Sequence, residues 1–215
     1  MADVTTKIAI VGCGPGSPQY VTEAARNAVA VADALVGSQR LIDLFSESPP
    51  DRIMVGPDIP DVLQQMVPYL AAGRTVAVLV SGDPGLCSLA ARVIRHFGRR
   101  QCHVVPAVSS VQAAFAKAGL DWSDARIVSA HGREPNVDIA DLGGADKIAV
   151  LAGTTDAIQW AAQAATALRA THIVLLAENL TLDDERFREL AAEQLYETQA
   201  SSLSIVLLIR RTLWT

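Results

Sequence analysis

Thr75-Val-Ala-Val-Leu-Val80 runs directly into Ser81-Gly-Asp-Pro-Gly85, and a helical pattern opens straight after it. The apolar stretch Val76 to Val80 shows no alternation of polar and apolar positions, which is how a strand covered on both faces of a parallel sheet reads. The loop that follows has almost no apolar side chain to bury. Its glycines lack the Cβ that would keep backbone N–H and C=O groups away from a ligand. In open α/β sheets, ligands bind beyond the carboxyl ends of the strands, where this loop would lie. Taken alone, the same residues also make a plain strand-to-helix turn. The rest of the chain has to decide between the two.

Short strand-like runs alternate with longer amphipathic stretches. Lys7–Val11, Ala34–Val36, Arg52–Val55, Thr75–Val80 and His103–Val105 read as strands. Val21–Ala32, Ile59–Ala72, Ser88–Phe97 and Ser110–Ala118 read as helices. The pattern pauses at Gly119-Leu-Asp-Trp-Ser-Asp124 and resumes with strands at Arg126–Ser129, Lys147–Leu151, His172–Ala177 and Ser204–Ile209 and an alanine-rich helix at Thr155–Leu168. Residues 184–197 fit a helix or an edge hairpin equally well. The expectation is an α/β protein of two subdomains, 1–120 with a parallel sheet and 121–215 with a mixed one, and a ligand cleft between them.

Composition narrows the function. Of 215 residues, 50% are hydrophobic and 19% charged, enough for a substantial core. No apolar run exceeds five residues, against ~20 for a membrane span, and the polar start is unlike a signal peptide, so a cytoplasmic protein is expected. A formal charge of −5 argues against nucleic acid, which is bound through Lys and Arg on phosphates. The basic cluster Arg92, Arg95, His96, Arg99 and Arg100 reads as a solvated helix end. Cys13, Cys87 and Cys102 form no Cys-x-x-Cys pair and have no metal-ligand spacing to a histidine, so neither a disulfide framework nor a metal is expected.

Several polar loops then stand out. The first strand runs into Gly12-Cys-Gly-Pro-Gly16, which is not the Gly-x-Gly-x-x-Gly of dinucleotide sites. Asp33 has about the right separation for the ribose-binding acid but precedes its strand, and cannot reach a ribose from there. Asp83 at a strand end can cap the next helix or meet a ligand hydroxyl or amine. Pro106-Ala-Val-Ser-Ser110 closes the fifth strand with two hydroxyls. Three such loops at neighbouring strand ends outline a pocket. Ser129-Ala-His131-Gly-Arg133 adds an imidazole and a guanidinium, the latter suited to a carboxylate. Glu178-Asn179 is a comparable, weaker case. No Ser/His/Asp arrangement or phosphate-cradling Gly-x-x-x-x-Gly-Lys-Ser/Thr loop is present.

Gly12-Cys-Gly-Pro-Gly16, Ala32-Asp-Ala-Leu-Val-Gly37, Ser81-Gly-Asp-Pro84, Pro106-Ala-Val-Ser-Ser110 and Glu178-Asn179 resemble, in order and spacing, the tetrapyrrole (corrin/porphyrin) methylases that use S-adenosylmethionine. The resemblance spans residues 7 to about 210. Residues 106–122, His131-Gly-Arg133 and Asp83-Pro-Gly-Leu-Cys-Ser-Leu89 are most similar to the branch that methylates carbon 5 of the corrin precursor in cobalamin synthesis. Some members of that branch are fused to a second methyltransferase that acts at carbon 15 and decarboxylates, and this chain resembles only the carbon 5 half. The resemblance implies two α/β domains with S-adenosylmethionine in the cleft between them, usually as a homodimer. By position it implies that Pro15 lines the cleft, that Gly82, Asp83 and Leu86 contact the cofactor, and that Ser109 and Ser110 hold it from the other side. Ala152 would stand where the family touches the methionine moiety, although alanine is smaller than the usual residue there. His131 and Arg133 would receive the carboxylates of the tetrapyrrole. No obligatory catalytic base is expected, because a reduced tetrapyrrole carbon conjugated to a ring nitrogen is itself nucleophilic. Other readings are methylation of another tetrapyrrole position or of the diphthamide precursor, and, in a different class, a nonenzymatic nucleotide or corrinoid carrier.

Overall fold

The computed structural model describes residues 7–45, 51–130, 135, 137–199 and 201–214. They form two compact units, which meet in the chain between Ser109 and Ser110.

The first unit holds five strands: β1 (Ile8–Gly12), β2 (Ala34–Gly37), β3 (Asp51–Met54), β4 (Val76–Val80) and β5 (Cys102–Val105). All pair in parallel, in the order β3-β2-β4-β1-β5. Its helices are α1 (Glu23–Ala30), a short α2 (Gln39–Ile42), α3 (Ile59–Ala71) and α4 (Ala90–Phe97). Thr22 caps α1 by accepting the Ala25 N–H at 3.1 Å, and Asp58 caps α3 through the Asp61 N–H at 3.1 Å.

The unbroken apolar run of β4 has a direct cause. Ala77 and Leu79 face a core shared with Ala25 and Val29 of α1 and Leu41 and Ile42 of α2. Val76, Val78 and Val80 face an opposite core with Val62 and Met66 of α3 and Val93 of α4. Connections that move toward β3 carry α1 and α2; those that return toward β5 carry α3 and α4. Right-handed crossovers in opposite directions put their helices on opposite faces. The reversal falls between the neighbours β2 and β4, whose chains leave toward opposite edges. Ligands of doubly wound sheets bind at such a point.

The second unit begins with α5 (Ser110–Ala118) and holds β6 (Arg126–Ser129), β7 (Lys147–Leu151), α6 (Thr155–Leu168), β8 (His172–Glu178), β9 (Arg186–Leu190) and β10 (Ser204–Arg210). The unit starts ahead of the polar pause at 119–124 because α5 packs against β10. Its sheet runs β6-β7-β10-β8-β9 and is mixed: β6 and β7 are parallel, the other pairs antiparallel. Ala157, Ala161, Ala164 and Ala165 of α6 are buried on Val150, Leu176 and Val206, so the small side chains set the helix close to the sheet. Lys147 is buried at the start of β7 and donates to Asp121 at 2.8 Å, with Asp124 as a second partner.

Residues 184–197, open between helix and hairpin in sequence, form the edge strand β9 followed by a 3-10 segment over 192–197. The partner that selects the hairpin is Glu178, wholly buried at the end of β8. Its carboxylate accepts from Arg188 at 2.8 Å and Arg186 at 3.4 Å on the adjoining strand, where Glu178 stands opposite Arg186. A buried carboxylate is tolerated only when paired in this way, and a helix over 184–197 would leave it without its partners.

Candidate functional site

The carboxyl ends of β1, β4 and β5 lie side by side in the first sheet, and their loops are in contact. A Cβ built on Gly12, the last residue of β1, would stand 2.8 Å from Ala107 Cβ, 2.8 Å from Pro84 Cδ and 2.9 Å from the Gly82 carbonyl oxygen. Glycine is therefore what lets the three loops approach one another. The β1 and β4 ends are stitched further: Cys13 N–H donates to Val80 O at 3.0 Å and Gly82 N–H to Gly14 O at 2.9 Å. This contact needs left-handed backbone at Gly14 (φ 76°) and Gly82 (φ 65°), which glycine adopts without strain.

Asp83 joins the second loop to the third. Its Oδ1 accepts the Gly85 N–H at 2.8 Å and its Oδ2 accepts the Ala107 N–H at 3.1 Å. The cap position of α4 is Leu89, which has no side-chain oxygen; Ser88 just ahead of it accepts the Ala90 N–H on its Oγ at 3.1 Å and donates to Pro84 O at 2.6 Å. The carboxylate thus holds two backbone segments from different strands in register.

Around this knot lie five of the residues expected from sequence. Pro15, Gly82 and Ser109 are buried, and Asp83 and Leu86 are half-buried. Ala107 and Val108 join Leu86 as half-buried apolar groups on the same loops. Ser110 and Ala152 belong to the second unit. Ser110 is half-buried at the start of α5, while Ala152 follows β7, is wholly buried, and donates its N–H to Ser204 O at 2.9 Å. The Ala152 methyl packs in the core that includes Val150 and Ala157. His131 and Arg133 lie outside the described residues. Glu178 is spent on its arginines, and Asn179, in left-handed backbone at φ 51°, donates to Asp184 and accepts from Ser201.

Asp33 lies at the opposite, amino end of the sheet. Its Oδ2 accepts the Thr75 N–H at 2.7 Å and the Thr75 hydroxyl at 2.9 Å, and these bonds, with Arg74 nearby, hold its carboxyl below the usual range. It fastens the starts of β2 and β4 together and is far from any strand-end ligand. The Cys13 thiol is buried and directed at Val11 O; burial pushes its pKa up to about 12, so it is a neutral packing group and not a nucleophile.

One group gave no sequence signal. Arg40 of α2, half-buried, reaches across from the end of β2 and donates from Nη2 to Ser81 Oγ at 3.1 Å. Its helix has only four residues, too few to show a period, and the contact spans 41 positions of sequence. Among the described residues no cluster of three His, Cys, Asp or Glu could hold a metal ion, and no helix is long and apolar enough to cross a membrane.

A parallel sheet whose glycine loops converge beyond its strand ends, followed by a mixed-sheet unit, defines a class of ligand-binding two-unit α/β proteins. The chain matches the family model for Tetrapyrrole (Corrin/Porphyrin) Methylases over residues 7–196 and belongs to that family. It is 32% identical over 182 residues to the cobalt-precorrin-7 C(5)-methyltransferase of Salmonella typhimurium, covering 83% of this chain and 88% of that protein. Among solved structures, the precorrin-6Y methylase of Archaeoglobus fulgidus superposes with a TM-score of 0.75 at 26% identity, covering 95% of this chain and 98% of that one. The uroporphyrin-III C-methyl transferase of Thermus thermophilus, complexed with S-adenosyl homocysteine, shares the fold with a TM-score of 0.76 at 20% identity, covering 94% and 92%.

Proposed function

We propose that this protein transfers a methyl group from S-adenosylmethionine to carbon 5 of a precorrin or cobalt-precorrin in cobalamin synthesis. The observation that carries this reading is the 32% identity to the Salmonella typhimurium C(5)-methyltransferase across 83% of the chain. When bound, S-adenosylmethionine supplies an electrophilic methyl on a sulfonium whose leaving group is neutral.

The residues present fit such a ligand. Glycines 12, 14 and 82 let the strand-end loops close on one another and so bring their backbone groups together where the ligand would sit, and Leu86, Ala107 and Val108 offer apolar surface for a purine. With its two oxygens already on Gly85 and Ala107, Asp83 acts chiefly by shaping the loops whose backbone meets the cofactor. Ser109, Ser110, Pro15 and Ala152 complete the proposed cofactor set. Because Ala152 buries its methyl in the core, a contact from that position would use its backbone.

The work left to the protein is alignment of methyl and acceptor carbon, which can supply ~7–11 kcal/mol of the barrier. The acceptor carbon brings its own nucleophilicity, so the reading assigns no residue as obligatory base. His131 and Arg133 are proposed to hold carboxylates of the ring, a requirement made sharper by the net charge of −5. The reading also carries with it a cytoplasmic homodimer and a carbon 15 methyltransferase and decarboxylase, either a separate protein or fused to this one.

Incubation of the purified protein with S-adenosylmethionine and cobalt-precorrin-7 or its metal-free counterpart, read by mass, is expected to show a gain of one methyl, placed at carbon 5 by NMR. Methyl at another carbon would redirect the assignment, and tight binding without turnover would make the protein a carrier. Arg133→Ala is expected to raise KM for the tetrapyrrole with S-adenosylhomocysteine affinity intact; an unchanged KM removes Arg133 from the site. Asp83→Ala is expected to weaken S-adenosylhomocysteine binding by calorimetry at least about tenfold, or ~1.4 kcal/mol. Equal affinity would show that the loops hold their shape without it.

A further inference from the structure

Arg40 occupies an unusual position for a cation. It stands on α2 immediately past the carboxyl end of β2, at the reversal point between β2 and β4. Leu41 and Ile42 beside it are buried in the core, 4% and 0% exposed, and fix the short helix in place. Arg40 itself is half-buried, and its hydrogen bond among the described residues is the one to Ser81 Oγ at 3.1 Å. A guanidinium carries five N–H donors in a planar fork.

No carboxylate of the described residues answers it. Asp43, one turn on, accepts from Gln39 at 2.6 Å instead. Asp83, two residues beyond Ser81, spends its oxygens on the Gly85 and Ala107 amides. The titratable group that acts on it is the Cys13 thiol, which burial keeps neutral and which supplies no counter-charge. Burial also draws the Arg40 pKa below its usual value, the direction expected of a charge that has lost water without gaining an anion. Exposure makes the contrast: Arg26, Arg126 and Arg211 also bond only backbone carbonyls but are exposed to water, whereas Arg210, the other half-buried arginine of the described residues, faces Asp146. Arg40, at the strand ends beside Gly82 and Asp83, faces no carboxylate of the described residues.

We propose that Arg40 binds a carboxylate of the tetrapyrrole, an acetate or propionate arm, with the Ser81 hydroxyl as its companion on the same oxygen pair. This rests on the tetrapyrrole reading given above and deepens it by naming a second anchor, in the first unit. A fork held at one end by Ser81 presents its remaining edge for a bidentate carboxylate contact, the geometry in which arginine outperforms lysine. The anion would restore to the guanidinium the charge partner that the fold withholds. In an acidic protein that must hold a polycarboxylate, such an uncompensated, pre-positioned cation is where the charge conflict is relieved.

The test uses cobyrinic acid, a corrin with free carboxylates, and its heptamethyl ester, each titrated optically into wild type, Arg40→Gln and Arg40→Lys. Arg40→Gln is expected to weaken cobyrinic acid about tenfold or more and leave the ester unchanged, with Arg40→Lys intermediate. S-adenosylhomocysteine affinity, measured by calorimetry on the same preparations, is expected to stay within about twofold, which also shows that the variants are folded. Cobyrinic acid binding that is absent in the wild type or equal in all three proteins overturns the proposal. So does a loss of S-adenosylhomocysteine binding that parallels the loss of cobyrinic acid, because Arg40 would then serve the cofactor loop. Failure of wild type to methylate any corrin precursor would sink the carbon 5 assignment while leaving this comparison intact. Turnover with an Arg40→Gln KM equal to wild type would sink the anchor alone.

Discussion

Three strand-end loops meet at Gly12 with no room for one extra carbon, and the arrangement of the candidate site follows from that contact. β1 lies between β4 and β5, so its last residue is where their loops must pass if they are to touch each other. With hydrogen in place of a side chain, Pro84 and Ala107 close over β1, and Asp83 comes within reach of the Ala107 amide. The carboxylate then locks what the glycine permits. A ligand loop made of glycines would otherwise lose the most conformational entropy on ordering, and these bonds are what hold it in one shape before a ligand arrives.

The same constraint explains how one sequence feature has two roles. The Val76 to Val80 run is apolar throughout because helices cover both of its faces, and the residue that ends it must turn out of the sheet at once. Ser81 and Gly82 make that turn, the first exposed and bonded to Arg40, the second in left-handed backbone against Gly14. The packing rule that fixes the strand thus delivers polar and backbone groups to the reversal point of the sheet, where β2 and β4 part.

Much of this was legible in the chain. The strands and most helices follow from apolar runs and caps, and the misplacement of Asp33 ahead of β2 was enough to set aside a dinucleotide site; the structure puts it on Thr75 at the amino end. The strand β9 was not legible, because Arg186 and Arg188 alternate with Phe187 and Glu189 in a way that suits an exposed helix as well as an edge strand, and the deciding partner, Glu178, lies on a neighbouring strand. Arg40 was invisible for a similar reason: its meaning comes from the carboxylates that do not reach it. Asp83 was read as a cap or a ligand group. Its actual partner, an amide 24 residues away on another loop, is a tertiary fact that no local pattern encodes.

The central claim is that the close approach at Gly12 builds the loops proposed to bind the cofactor. Gly12→Ala tests it, because the substitution leaves the backbone unstrained and adds one methyl against Pro84, Ala107 and the Gly82 carbonyl. Gly56→Ala, where an added Cβ meets nothing within 4 Å, serves as the control. Calorimetric titration with S-adenosylhomocysteine should show affinity reduced at least about tenfold in Gly12→Ala, alongside a stability loss of ~1–3 kcal/mol from overpacking, and no change in the control. Wild-type affinity in Gly12→Ala would contradict the account.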